Sequence, residues 1–266
     1  MVAAAAAGRI RIDNITKTFI NEADANATVR ALSNVSLDIA PGEFVTLIGA
    51  SGCGKSTLLR LIAGLIKPDS GSLSMDGEDI SGPGPERGFA FQDHALFPWL
   101  TIAGNVAFGL KTQGVYAERK ADVAHWIERV GLKGFEKYYP HQISGGMCQR
   151  AALARSLIVS PKVLLLDEPL GALDAFTRMN IQDEILKIHS GEQTTMIMVT
   201  HDVDEAVYMS DRVVVLSPRP GRIRETIEID LARPRARSSA DFMAYRKQLL
   251  NILHLGGEDT GADYVI

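Results

Sequence analysis

Phe44-Val-Thr-Leu-Ile48, followed directly by Gly49-Ala-Ser-Gly-Cys-Gly-Lys-Ser-Thr57, is the stretch whose reading decides the fold. The first part is an apolar run of strand length that meets glycines at once, which suits a fully buried strand of a parallel sheet. The second part fits the pattern G-x-x-x-x-G-K-[ST]. Helical periodicity continues from Ser56 to Gly64 through Leu58, Leu59 and Ile62, and Lys67-Pro68-Asp69 ends it. A glycine-rich loop between a buried strand and a helix lets successive backbone N–H groups turn inward around phosphate oxygens. The helix N-terminus adds positive potential there. Lys55 can reach the β- and γ-phosphates, and Ser56 supplies a hydroxyl for Mg²⁺. A glycine-rich turn that merely contains a lysine would need neither the strand before it nor the helix after it. The stretch is read as a nucleotide site.

The rest of the chain fits around that unit. Its 266 residues, 46% hydrophobic and 23% charged, suit one large α/β domain or one domain with a helical insert. A formal net charge of −4 gives no global basic field and argues against nucleic acid as the main partner. No apolar stretch approaches the roughly 18 residues a membrane helix needs. Met1–Ala7 lacks a basic start, so residues 1–9 are expected to fray rather than to act as a signal peptide. The two cysteines, Cys53 and Cys148, sit in glycine-rich motifs and form no disulfide framework, which implies a reducing compartment.

Ile10–Ile15 reads as a short strand and Ala31–Ile39 as a better alternating one, closed by Pro41-Gly42. Ser72–Met75 and Gly88–Phe91 are short strands around a Gly/Pro-rich turn at Ser81–Pro85. Residues 101–159 turn mostly helical, with Ala117–Val130 the clearest amphipathic stretch, and form a helical insert. Val163–Leu166, Met196–Val199 and Val213–Leu216 are further buried strands, separated by helices at Phe176–His189 and Val203–Met209. That alternation implies a parallel sheet with crossover connections. Ile223–Ile229 alternates like an edge strand. Arg233–Arg237 is expected to be a solvated connector, with contact to a regulator or permease as the alternative, and a final helix is expected near Phe242–Leu255 within a C-terminal extension, 231–266.

Val163-Leu-Leu-Leu-Asp-Glu-Pro169 places two acids at the end of a buried strand. Ligands of open α/β sheets lie at strand carboxyl ends, so both acids should face the phosphate loop. Asp167 can hold Mg²⁺, directly or through water, and Glu168 can polarise an attacking water. An ordinary strand exit would also explain an isolated Asp-Glu-Pro. Beside a phosphate loop, hydrolysis is the better reading.

Ile143-Ser-Gly-Gly-Met-Cys-Gln-Arg150 resembles the signature motif of the ATP-binding-cassette (ABC) family. The resemblance covers roughly Ile10 to Ile229 and includes Gln92 as Q-loop, Gly171-Ala-Leu-Asp174 as D-loop and His201 as switch histidine. It implies a P-loop NTPase core with a mainly parallel sheet, an antiparallel β subdomain and a helical insert, the cassette spanning 10–230. It also implies a nucleotide site built from Gly49, Ala50, Ser51, Gly52, Cys53, Gly54, Lys55, Ser56 and Thr57, with Phe19 stacking on adenine. Ser56, Gln92 and Asp167 would hold Mg²⁺, and Glu168, His201 and Gln92 would serve hydrolysis of ATP. Two such subunits would pair head to tail, with Ser144, Gly145 and Gly146 of one closing on the ATP of the other and Asp174 linking the two sites. Ile143 and Met147 stand where the signature usually has leucine and glutamine. Cys148 stands where the import branch usually carries arginine or another polar residue.

Phe91-Gln-Asp-His-Ala-Leu-Phe-Pro-Trp99, Asn105-Val-Ala-Phe-Gly-Leu110, Leu173-Asp-Ala-Phe-Thr-Arg178 and Pro218-Arg-Pro-Gly-Arg-Ile223 look like the ATPases of nitrate, sulfonate and taurine importers. That branch implies a peripheral protein on the cytoplasmic face of the inner membrane. Its partners would be a second ABC subunit, identical or not, a separate permease dimer and, indirectly, an extracytoplasmic solute-binding protein. Leu96, Phe97 and Trp99 would then receive a permease helix, or else cap the local core. A DNA-repair or translation ATPase would usually carry a coiled-coil insertion or a second cassette, and the chain has no heptad run or repeat. A small-molecule kinase would need no signature, and a degenerate cassette would not need Glu168 and His201 intact.

Overall fold

The computed structural model describes residues 7–21, 24–92 and 95–254. Its centre is a six-stranded sheet in the order β10-β9-β3-β8-β7-β6. These strands are β3 (Phe44–Ile48), β6 (Arg87–Ala90), β7 (Val163–Asp167), β8 (Thr195–Val199), β9 (Arg212–Leu216) and β10 (Ile223–Glu228). All neighbours pair in parallel except β10, which runs antiparallel to β9 at the edge. The alternation of the parallel strands sorts their side chains onto two covered faces. Val45, Leu47, Leu165, Ile197 and Val199 point into one apolar cluster, whereas Phe44, Ile48, Leu164, Leu166 and Met198 point into the other. Burial on both faces is why β3, β7 and β8 carry short apolar runs without polar alternation.

One face is covered by α1 (Lys55–Ile62) and by a second, antiparallel sheet in the order β2-β1-β4-β5. Its strands are β1 (Ile10–Asn21), β2 (Asp24–Ile39), β4 (Ser70–Met75) and β5 (Glu78–Asp79). The other face is covered by α2 (Ile102–Val106), α3 (Phe108–Thr112), α4 (Tyr116–Arg129), α5 (Gly145–Leu157), α6 (Ala175–Glu192), α7 (Val203–Met209) and α8 (Ala240–His254).

The structure departs from the sequence expectations in two places. First, β1 and β2 run well beyond the short stretches read from alternation. Their register slips between Ile12 and Ile15, again before Lys17 and again before Thr18, and Asn14 has φ 50°. Each bulge resets which face a side chain occupies, so a period of two fails although the strands continue. Second, Arg233–Arg237 is no solvated connector. Arg235 is buried, and its guanidinium donates to the carbonyls of Val207, Tyr208, Ser210, Ile229 and Leu231. A cation there meets the free carbonyls at the C-terminal end of α7, where the helix dipole also favours positive charge. Burial, with Arg233 alongside, pushes the Arg235 guanidinium down to about 10, still charged at neutral pH. Arg233 pairs with Asp211 at 2.6 Å, and Arg237 stacks 3.5 Å from the ring centroid of Tyr208. Beyond this strap, Phe242 and Leu249 of α8 lie in the core. The fraying expected of the N-terminus falls partly outside the described residues, but Gly8 and Arg9 both donate backbone N–H groups to Asp76 Oδ1, which ties them down.

Replacing Arg235 by alanine leaves several buried carbonyls without a donor, at a cost of about 2–4 kcal/mol. Urea unfolding of Arg235→Ala should show that loss; a midpoint equal to the wild type would mean that water replaces the guanidinium without penalty.

Candidate functional site

Register sets the site. Leu47 of β3 and Asp167 of β7 both pair with Val199 of β8, so the three strands end at one level. Gly49, Glu168 and Thr200-His201 therefore leave the sheet along the same edge, outside the strand carboxyl ends.

The loop after β3 is shaped for close approach. Gly54 has φ 107°, and a Cβ there would sit 2.7 Å from Leu32 Cδ2. Lys55 is buried, and its ammonium donates to the carbonyls of Gly49 at 2.7 Å and Ala50 at 3.1 Å. It is held within the loop it would serve. Ser56 Oγ donates to Asp167 Oδ1 at 2.8 Å, bringing hydroxyl and carboxylate together. Burial pushes the Asp167 carboxyl above the ordinary range, while Ser56, Arg60 and Lys55 pull it back. Cys53 is buried against the loop and points its sulfur toward Lys55.

Glu168 has φ 47°, a left-handed backbone that costs a non-glycine residue of order 1–3 kcal/mol. Its N–H donates to Val199 O at 3.0 Å, and its own carbonyl accepts from Gln149 Nε2 at 3.1 Å. The turn aims the carboxylate at the cleft, where Oε2 accepts from Gln92 Nε2 at 3.4 Å and lies 3.5 Å from His201 Nδ1. The backbone of His201 is anchored by the start of α7. Asp202 caps that helix, accepting from the N–H groups of Asp204 and Glu205, and Thr200 Oγ1 donates to buried Glu205 at 2.7 Å.

These groups open onto a cleft of about 550 Å³ lined by Phe19, Val29, Ala31, Ser51, Gly52, Gly54, Lys55, Ser56, Thr57, Gln92, Glu168, His201 and Arg219. Phe19 is partly exposed at its end, with Lys17 Nζ 5.6 Å from the ring centroid. Asp167 lies behind Ser56, and Gly49, Ala50 and Cys53 form the base of the loop rather than the lining.

Four residues singled out from the sequence are not in this cleft. Ser144 caps α5, its Oγ accepting from Met147 N, and Gly145 begins that helix. Asp174 caps α6 by accepting from Thr177 N at 3.0 Å, a bond that holds its carboxyl below the usual range. A Cβ on Gly146 would lie 3.2 Å from Leu173 and 3.3 Å from Ala172 O, so the two caps adjoin on one exposed face. Cys148 turns away from that face and donates to Pro140 O at 3.4 Å, which leaves the start of α5 undisturbed.

Two contributors escaped the sequence reading. Gln149, inside the quoted signature stretch, holds the turn after Glu168 through Glu168 O and Ala172 N. Arg219 reaches the cleft from the β9–β10 turn, and only the quoted Pro218–Ile223 stretch hinted at it.

The donor set fits a nucleotide with Mg²⁺. Among the described residues no group of three or more His, Cys, Asp or Glu could hold a metal by itself. One hydroxyl and one buried carboxylate suit a small hard cation that takes its remaining ligands from phosphate oxygens and water.

Comparison with known proteins agrees with this geometry. The sequence profile of the ABC transporter family matches residues 32–171. An aliphatic sulfonates import ATP-binding protein, SsuB, of Bacillus cereus is 49% identical over 248 residues, 93% of this chain and 97% of that one. The SsuB of Bacillus subtilis is 50% identical over 235 residues, 88% and 90% of the two chains. An ABC transporter ATP-binding protein of Methanocaldococcus jannaschii is 51% identical over 246 residues, 92% and 91%. Among solved structures, a dimeric post-hydrolysis ATP-binding cassette bound to ADP and Pi superposes with a TM-score of 0.75 at 30% identity, covering 84% of this chain and all of that one. With strand order, phosphate loop and relatives in agreement, the chain belongs to the ATP-binding subunits of ABC transporters and is an ABC ATPase.

Proposed function

We propose that this chain is the motor of an importer for a small oxoanionic solute, an aliphatic sulfonate (taurine among them) before nitrate, acting on a separate permease. The observation that carries the hydrolytic part is the meeting of Gln92, Glu168 and His201 at the mouth of the phosphate-loop cleft. The solute class rests on the high identity to the Bacillus sulfonate-import proteins across nearly the whole chain.

In this reading the N–H groups of Ser51 through Lys55 cradle the phosphates of ATP, and Lys55 exchanges its loop carbonyls for phosphate oxygens. Phe19 stacks on the adenine. Ser56, Asp167 and Gln92 would hold Mg²⁺, which would supply positive charge against the charge that develops on the phosphate oxygens. Glu168 Oε2 accepts a proton from the attacking water, while His201 donates to the γ-phosphate and is kept in place by α7. Ser144, Gly145 and Gly146 of a second subunit close on the same γ-phosphate through the start of α5, and Asp174 faces the matching surface. The dimeric cassettes among the structural neighbours support that pairing.

The permease contact is assigned to the loop before α2. Trp99 is 70% exposed, Phe97 packs 4.5 Å from Phe108 and 5.4 Å from Trp99, and buried Asn105 fastens the loop to the carbonyls of Phe97, Leu100 and Thr101. An apolar shelf on a rigid support suits a short helix from a membrane partner. No helix among the described residues is long and apolar enough to cross a membrane, which is compatible with a peripheral place on its cytoplasmic face.

Three variants test the hydrolytic part of this reading. Glu168→Gln should still bind ATP, lose at least about a hundredfold in turnover, and accumulate as an ATP-bound dimer in size exclusion; a variant that stays monomeric with ATP sinks the paired mechanism. Lys55→Ala should lose both nucleotide binding and hydrolysis, and an unchanged rate would remove the phosphate-loop assignment. Gln149→Ala, by releasing the turn that aims Glu168, should lower kcat about ten- to a hundredfold while KM for ATP moves less than about threefold. For the solute, the chain should co-purify from native membranes with a polytopic permease, and the reconstituted complex should hydrolyse ATP faster with sulfonate-loaded binding protein. Recovery of ribosomes or DNA instead would move the chain to a non-transport role.

A further inference from the structure

The turn Ser217–Arg222 between β9 and β10 is fastened to the phosphate loop. Gly221 N donates to Ala31 O at 2.9 Å, and Ser33 N donates to Gly221 O at 3.0 Å, so the turn pairs with β2 beneath the cleft. A Cβ on Gly221 would lie 2.1 Å from Cys53 O, which shows how closely the turn backbone approaches the loop. Within the turn, Ser217 N donates to Arg222 O at 2.9 Å, and Arg222 N donates to Ser217 Oγ at 3.1 Å. These bonds give Arg219 a fixed base.

From that base Arg219 Nε donates to Gly52 O at 3.0 Å, and a Cβ on Gly52 would meet Arg219 Nη2 at 2.8 Å. The side chain lines the cleft with Lys55, Thr57 and Phe19. Among the described residues Arg219 has no ion pair, as is also true of the exposed Arg222 and Arg224, but of these three it is the one that lines the cleft. An oriented guanidinium without an acid, beside a loop built for phosphate, has the geometry and charge to take phosphate oxygens.

We propose that Arg219 is a second cation of the nucleotide site, donating to a polyphosphate oxygen from the β9–β10 turn while its Nε keeps the bond to Gly52 O. The proposal rests on nucleotide filling the phosphate-loop cleft. In this role the turn belongs to the binding site, and it acts on any nucleotide that carries a polyphosphate, ADP and ATP alike. Adenosine, which has none, gains nothing from it.

The test is titration of the full chain with mant-ADP in the presence of Mg²⁺, with competition by ATP, ADP and adenosine, for wild type, Arg219→Ala, Arg219→Lys and Lys55→Ala. Arg219→Ala should weaken ATP and ADP about tenfold and leave adenosine unchanged, since one charge-assisted hydrogen bond is lost. Arg219→Lys should recover part of the loss, and KM for ATP should rise more than kcat falls. Equal binding of ADP by wild type and Arg219→Ala overturns the proposal. So does an equal loss for ADP and adenosine, which would place the effect of Arg219 outside the phosphate contacts. If Lys55→Ala also binds ADP normally, the cleft itself has been misassigned, and that outcome is separate from the behaviour of Arg219.

Discussion

The hydrogen bond from Ser56 Oγ to Asp167 Oδ1 joins the first turn of α1 to the end of β7, and the site depends on it. It forms only because β3, β8 and β7 end at one level. The arrangement holds a carboxylate at 2% exposure, where desolvation opposes its charge. Burial raises the Asp167 pKa, so its charged form opposes the fold as pH rises through that value. A divalent cation reverses the sign of this effect, because it stabilises the charge that burial penalises. A cation in the proposed Mg²⁺ site would relieve that electrostatic cost.

A second cost lies next to the first. Glu168 is held in a left-handed conformation worth of order 1–3 kcal/mol, against roughly 1.5–3 kcal/mol for burying each large apolar side chain of β7. Three leucines of that strand are fully buried, so the strand readily offsets the strain of its last turn. The bonds that fix the turn come from elsewhere, namely Val199 on β8 and Gln149 on α5. Gln149 stands five residues after Ser144, on the same helix. Gln149 thus joins the first turns of α5 to the turn that aims the carboxylate.

Much of this was legible in the sequence. Strands buried on both faces betray themselves as short apolar runs, and β3, β7, β8 and β9 lie within a residue or so of those runs. The residues of the phosphate loop, the two acids and His201 stand in motifs whose spacing carries their chemistry. What escaped was set by tertiary contacts. The bulges around Asn14 broke the alternation that would have lengthened β1. Arg235 is charged and lies in a basic run, and only the carbonyls at the end of α7 explain its burial. Arg219 lies 167 residues from Gly52 in the chain, and no local pattern announces that pair.

The proposed pairing would divide the site within one fold. Ser144, Gly145, Gly146 and Asp174 line no part of the cleft in their own chain, yet their geometry is complete. Both cap side chains already accept from their own helices, and Gly146 abuts the turn that leads to Asp174. The cost of ordering that surface is met on folding rather than on binding, so a partner arriving there need not organise it. Backbone N–H groups at the start of α5 stay directed outward, and Ser144 and Gly145 are exposed. A preformed anion-seeking helix end on one face and a phosphate cleft on another are what two copies need to complete each other's sites. In the proposed head-to-tail pair neither half would have to refold for closure, which would place the energetic weight of pairing on the phosphate between them.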